Sequence, residues 1–399
     1  MSPVPQAVGR ADKSVQMLRP KAVFFLFYAG LACFVPYLSL YFKRLGFSGE
    51  QVGFLMGVAP FVTLLSAPVW GGLSDAVRRH KAVLLISLVG GMIAVCGYFI
   101  TELFLGLVTV VVLFSFFRAP QMPLLDRSVL ELLGQDRNRY GNIRFWGTLG
   151  WGVASPIGGY LWARYGIDSI AGIYIGCIAV MTVLCIRVPI VQRMRPLPFW
   201  QGVRVLGGRA WIVFLIGCLI GGMGFAFAHI YLSIYLEEIG APDWWLGAIM
   251  PLGIATELVV MMFMYRLLEK VSPLITFQAG MGLLLLRLVL YSLCDEPWQA
   301  AAIQTLHGVS FGLLWLSVVN YAHRLAPPGL EATGQSLAFS MFFGLGRGLG
   351  AGLAGPLYEH FGVHSMYGCG AGLVFGGLIF MAAFGKKVEQ HNPNGAHAK

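Results

Sequence analysis

Charge is scarce in this chain. Only 12% of its 399 residues are Asp, Glu, Lys or Arg, about half the share of a soluble domain, which excludes an ordinary soluble protein. No Gly-x-x-x-x-Gly-Lys-Ser/Thr run is present, so ATP is not expected as an energy source. The seven cysteines are odd in number and fall almost entirely in apolar stretches (Cys33, Cys96, Cys177, Cys185, Cys218, Cys369), with Cys294 near an outer end; they give neither a disulfide framework nor a CxxC zinc pattern. The eight histidines are scattered without metal or nucleophile spacing, so neither an enzyme nor a metal or other cofactor is expected. The absence of an Asn-x-Ser/Thr sequon is consistent with a bacterial inner membrane. The first 20 residues hold Arg10, Lys13 and Arg19 but no apolar core of their own, which argues against a cleaved signal peptide.

What the chain has instead is apolar length. Hydrophobic residues make up 57% of it, gathered into runs of about 20, the length that crosses a bilayer as a helix. Twelve spans are predicted, at 22–42, 50–70, 81–100, 104–125, 144–163, 169–189, 211–236, 244–265, 273–293, 297–321, 333–355 and 363–384. The formal charge of +10 does not point to nucleic acid. With the N-terminus in the cytoplasm, 21 of the 28 Lys and Arg fall in cytoplasmic segments, three outside (Lys43, Arg44, Arg164) and four within helices (Arg118, Arg144, Arg287, Arg347). That bias predicts both termini in the cytoplasm.

The stretch YLSLYFKRLG at 37–46 returns 194 positions later as YLSIYLEEIG at 231–240. The same offset pairs Gly53 with Gly247, Met56 with Met250, Asp75 with Glu269, and Asp126 with Asn320. A Pro- and Arg-rich linker at 191–209 divides two six-helix halves, 21–190 and 210–385, between cytoplasmic tails 1–20 and 386–399. Two parallel halves about an axis along the membrane normal form a transporter architecture. The fold expected is thus all-α and integral to the membrane, each half supplying one wall of a central cavity. Lys43 and Arg44 stand where the second copy has Glu237 and Glu238; they could meet across the outer mouth when the halves close, or remain four solvated charges worth little each.

The loop GGLSDAVRRHK, 71–81, resembles the signature of the major facilitator superfamily. The resemblance implies a conformational latch of Gly71, Asp75, Arg78 and Arg79, with Gly71 permitting close helix approach and Asp75 capping a helix or pairing with arginine; Arg78 stands where the family often has glycine. PLLDRSVL, YGNIRFWGTLGW and LHGVSFGLLWLSVVNYAHRLAPP resemble the lactose permease branch with its nucleoside and phenylpropionate relatives. In that branch an acid and an arginine 18 residues apart bind substrate, which implies Asp126 and Arg144 here, with Asn320 at the position paired with Asp126. A structural salt bridge is the alternative for Asp126 and Arg144. Trp151, two helical turns after Arg144, is implied as an aromatic platform, against a packed or lipid-facing tryptophan.

The same resemblance assigns substrate binding or proton coupling to Glu257, Arg287 and His307. A carboxylate desolvated in an apolar helix can carry a proton, because burial favours its neutral form. Departures accompany the matches: Ser310 replaces the permease's proton-carrying glutamate, Gln304 its lysine, Val260 its sugar-binding asparagine, and Gly224 and Phe227 align near its paired aspartates. Galactoside specificity does not carry over, and Glu257 or Asp126 would have to carry the proton. Arg118 and Arg347 match nothing in that scheme. Arg347, in the run Gly344, Gly346, Gly348, Gly350, Gly352, could attract an anion into the cavity, snorkel or pair with an acid; His229 is a further cavity candidate or a packing histidine.

The function expected is a secondary transporter that moves a small organic solute by alternating access, of sugar, nucleoside or aromatic acid type, with a proton as co-substrate and the bilayer as its only surroundings. No nucleic acid or obligate protein partner is implied. The alternatives are a uniporter or an exporter of amphipathic compounds, and more remotely a non-transporting receptor or membrane enzyme.

Overall fold

The computed structural model describes residues 10–77, 79–134, 140–166, 169–186, 208–326 and 330–390, and they form helices with no strand among them. The helices are α1 (10–44), α2 (Gly49–Val77), α3 (His80–Phe99), α4 (Phe104–Leu133), α5 (Tyr140–Tyr165) and α6 (Ser169–Ile186) in the first half. In the second they are α7 (209–238), α8 (Trp245–Lys270), α9 (Pro273–Leu293), α10 (Pro297–Leu325), α11 (331–361) and α12 (363–390). Helices are the expected solution for apolar runs of this length, since each satisfies its own backbone hydrogen bonds where no water can.

Ten stretches are long and apolar enough to cross a membrane. One of them, Thr333–Gly385, holds two passes, because Gly362 adopts a positive φ of 76° and turns the chain back between α11 and α12. The remaining pass is α5, whose polar residues and glycines lower its hydropathy. Twelve passes result, as the sequence predicts. α4 and α12 run past their predicted ends, to Leu133 and Gln390; the helical periodicity there outlasts the apolar composition. Most of the predicted linker at 191–209, and Arg78, lie outside the described residues.

The repeated decapeptide is explained position by position, because each kept residue does the same work in both halves. Gly46 and Gly240 end their helices with φ of 85° and 75°, a left-handed cap that glycine adopts without strain. Tyr41 donates to Tyr98 O at 3.0 Å, and Tyr235 to Cys294 O at 2.9 Å, tying the tip of α1 to α3 and the tip of α7 to α9. Tyr37 donates to Ser155 O and Tyr231 to Gly49 O. Their rings lie beside the two places where the halves touch most closely.

Those contacts are glycine crossings. A Cβ on Gly247 would sit 2.5 Å from Ser155 O and 3.0 Å from Gly159 Cα, so α8 lies directly on α5; a Cβ on Gly53 would sit 2.8 Å from Ala351 O and 2.9 Å from Gly355 Cα, so α2 lies on α11. Small residues let helix backbones approach this closely. Between the crossings, Ser39 and Ser233 are joined by an Oγ–Oγ hydrogen bond of 2.9 Å and are both buried. Ser39 donates its single proton to Ile230 O, so Ser233 supplies the proton between them. The same residue from each repeat meeting its counterpart marks the pseudo-two-fold axis.

The inter-half packing continues along α2 and α11 to Phe61 against Gly348 and Leu64 against Gly344, and along α5 and α8 to Gly152 against Ile254. Beyond that depth Gly71, Gly72 and Gly141 face open space. Gly71 therefore makes no close helix contact here, contrary to the expectation for the signature loop. The halves are sealed at the end remote from Arg10 and Gln390.

Within the second half the tightest crossing is α8 on α10. A Cβ on Gly308 would lie 2.0 Å from Glu257 N and 2.3 Å from Gly253 O. Gly308→Ala should drive these helices apart and cost at least about 1–3 kcal/mol, the usual range for overpacking. A drop in the thermal unfolding midpoint of the purified protein checks it; an unchanged midpoint would show that the crossing is looser than described.

Candidate functional site

The polar residues of the interior come from both halves. α4 carries Arg118 and Asp126 on the face that meets α1, where Met122, between them, accepts a long 3.5 Å contact from the Tyr28 hydroxyl. Tyr28 in turn holds Arg144 of α5, whose guanidinium lies 4.2 Å from the ring centroid, a cation–π contact that orients the charge without neutralising it. Asp126 accepts from the Tyr140 hydroxyl at 2.6 Å. It makes no ion pair with Arg144, so the structural salt bridge is not formed. Arg144 lies on α5, which packs against α8, the helix of Glu257 in the other half, through Gly152 on Ile254.

Trp151 sits two turns along α5 from Arg144, half-buried, with its ring 6.4 Å from that of Tyr28. It also packs on the small cluster of Ala29, Ala32, Cys33 and Ala154. Its position is thus both structural and adjacent to the charged group. Asn320 is directed elsewhere: its amide donates to Leu316 O at 2.7 Å, one turn back on α10, and joins neither Asp126 nor Glu257.

The second half carries a separate chain of polar contacts. His229 of α7 and His307 of α10 share a 3.1 Å hydrogen bond between Nε2 and Nδ1, packed against Phe225 and Phe311. A bond between two neutral imidazoles needs one donor and one acceptor nitrogen, which fixes complementary tautomers. Arg287 of α9 is completely buried. Its partners are neutral: Ser310 Oγ at 3.2 Å and Gln304 Oε1 at 3.5 Å, with Tyr291 donating to the same Gln304 oxygen at 3.0 Å. Its Nε has no partner. Ser310 and Gln304 are thus the groups that solvate Arg287.

α11 departs from α-helical geometry at Ser340–Gly346, a π-helical turn of the kind common at functional sites. Arg347 follows it directly. Its flanking glycines pack in two directions: Gly344 and Gly348 on α2, Gly346 and Gly350 on α7. The spacing in the glycine run therefore serves close packing, as its sequence suggests. Arg347 is partly accessible. Neither Arg347 nor Arg118 has an ion-pair partner among the described residues.

At the sealed end the charge swap becomes a set of bonds between halves. Arg44 binds Glu237 at 2.8 Å and Asp243 at 2.7 Å while lying over the Trp162 ring. Lys43 donates to the Tyr358 hydroxyl, which donates to Glu238. Of the signature-loop residues, Arg79 precedes α3 with an exposed side chain and makes no capping bond. Ser74 and His80 are hydrogen-bonded across that loop. The remaining loop groups, Arg78 and the Asp75 carboxylate, lie outside what is described.

Among the described residues, twelve apolar helices in two halves, with isolated charges within them, make up a multi-pass membrane protein. Residues 17–369 match the model of the MFS_1 like family. The chain belongs to that family, within the major facilitator superfamily. It is 26% identical over 360 residues to the maltose permease of Geobacillus stearothermophilus, covering 87% of this chain and 89% of that one. It is 24% identical over 351 residues to the probable 3-phenylpropionic acid transporter of Escherichia coli (strain K12), covering 85% and 90%. Its fold matches the crystal structure of the nucleoside transporter NupG with a TM-score of 0.84 at 17% identity, over 92% of this chain and 99% of that one.

Proposed function

We propose that this protein is a proton-coupled symporter that moves a small organic solute, of sugar, nucleoside or aromatic acid type, by alternating access. One observation carries the reading: Arg144 of the first half and Glu257 of the second lie on α5 and α8, helices of opposite halves that pack directly on one another through Gly152 on Ile254 and Gly247 on Ser155, beneath a sealed end. A solute that engages these groups bridges both halves, so binding and closure are one event. The bias of Lys and Arg towards the terminal side supports placing both termini in the cytoplasm and the sealed end outside. The form described is then inward-facing.

Glu257, with Arg287 and His307 behind it, is assigned to proton coupling, and the pair 21–190 and 210–385 to the two rocking bodies. Asp126, Arg144 and Trp151 are assigned to the solute. The test is uptake into proteoliposomes under an imposed pH gradient, with maltose, uridine and 3-phenylpropionate compared. At least one should accumulate, collapse with the gradient, and fall about 10–100-fold in apparent affinity in Arg144→Ala, the effect of losing a charged hydrogen bond of about 1.5–3 kcal/mol. Flux indifferent to the gradient would favour a uniporter; absence of flux for all three would count against uptake.

A further inference from the structure

Asp126 and Arg144 are neighbours that do not pair. Asp126 accepts from the Tyr140 hydroxyl at 2.6 Å, and Tyr140 stands four residues before Arg144 on α5, so the two α5 side chains lie one helical turn apart on the same face. The carboxylate is thus anchored a single turn from the guanidinium, yet no ion pair joins them among the described residues. All three residues are partly accessible. What holds Arg144 to the other side is on α1. Its guanidinium lies 4.2 Å from the Tyr28 ring centroid. A Cβ on Gly147 would sit 2.6 Å from the Tyr28 ring and 3.0 Å from Arg144 Nη1, so the bare glycine makes room for ring and guanidinium together. Tyr28 also reaches Met122 Sδ of α4 at 3.5 Å, and its ring lies 6.4 Å from that of Trp151.

A direct pair between carboxylate and guanidinium in a medium of low dielectric would satisfy both groups at once, and a solute could open it only at high cost. Two neutral phenols hold the same charges by weaker means, a hydrogen bond on one side and a cation–π contact on the other. Resting on the assignment of Asp126 and Arg144 to the solute, we propose that Tyr140 and Tyr28 are positioning residues that keep the acid and the arginine apart, each engaged by a group that a solute can replace. A solute donor takes the place of the Tyr140 hydroxyl on Asp126, and a solute acceptor draws Arg144 off the Tyr28 ring. Neither charge then has to be pulled from the other when the solute enters.

The test is a double-mutant cycle between Asp126→Asn and Arg144→Gln, read from the thermal unfolding midpoint of the purified protein without solute. In the parent the two losses should come close to adding, because the groups do not bind each other. In a Tyr140→Phe background an ion pair should form, and the double substitution should then cost clearly less than the sum of the single ones. Tyr28→Leu should produce the same departure from additivity, whereas Tyr28→Phe, which keeps the ring, should leave the losses additive. Tyrosines that served only for packing would lower the midpoint and leave the cycle additive in every background; that result, or strong coupling already in the parent, would overturn the proposal. Uptake supplies a second readout. For each of maltose, uridine and 3-phenylpropionate that the parent takes up, the effect of Tyr140→Phe should fall on KM, raised at least about tenfold, and not on Vmax; a lower Vmax at unchanged KM would overturn it. The cycle needs no solute, so absence of flux for all three would count against the uptake reading while the cycle still decides the role of the tyrosines.

Discussion

Oxidation of a Ser39→Cys, Ser233→Cys variant is expected to abolish transport completely, and reduction to restore it. The two Oγ atoms are already 2.9 Å apart in the sealed end, and a disulfide of about 2.05 Å requires a modest approach of the same side chains. The bond would sit on the pseudo-axis and hold α1 and α7 together. Under the alternating access proposed above these tips separate in every cycle, so one covalent link would suffice to stop it. Uptake before and after addition of reductant, with each single cysteine variant as control, measures the effect. Full activity in a quantitatively cross-linked protein would mean that this end never opens during transport.

Glu257→Gln is expected to eliminate accumulation against a gradient while leaving exchange of solute for solute. Glutamine keeps the shape and the capacity to accept a hydrogen bond, but it cannot take up and release a proton. In a symporter the loaded forms can still shuttle, so counterflow persists while net proton-driven uptake fails. The neighbouring backbone is locked against Gly308, so the substitution alters the end of the side chain and not the crossing that holds it. Accumulation that survives would pass the proton to Asp126, and loss of counterflow as well would make Glu257 a solute ligand.

Much of the fold was legible because membranes impose regularity. Apolar length gave twelve passes, and the duplicated decapeptide announced two halves. The substitution of Lys43 and Arg44 by two glutamates at the equivalent positions even pointed to the bonds that Arg44 makes with Glu237 and Lys43 makes through Tyr358 to Glu238. Asp126, Arg144 and Glu257 stood out because ionisable groups in apolar helices are costly. What could not be read was how side chains on different helices choose one another. Asn320 matched Asp126 by offset, yet its amide is satisfied by its own helix. His229 and His307 are 78 positions apart with no pattern linking them, and the π-helical turn before Arg347 shifts that residue's direction relative to any regular helical wheel. A doubled glycine spacing in α11 was visible, but not that its two sets face α2 and α7 separately.

The bonds at the sealed end also bear on how such a molecule could arise. Arg44 meets Glu237, the counterpart of Lys43, and Lys43 reaches Glu238, the counterpart of Arg44. This is the reciprocal pattern of an isologous contact, in which residue i touches j of its twin and j touches i. In a dimer of identical six-helix chains, both twins would bring Lys and Arg to that seam, and like charge would face like. Ser39, on the axis, could meet itself without conflict. The complementary seam therefore requires two halves that are encoded separately, so that one could turn acidic while the other stayed basic. Joining the two in one chain then prevents the half-molecules from assembling with the wrong twin.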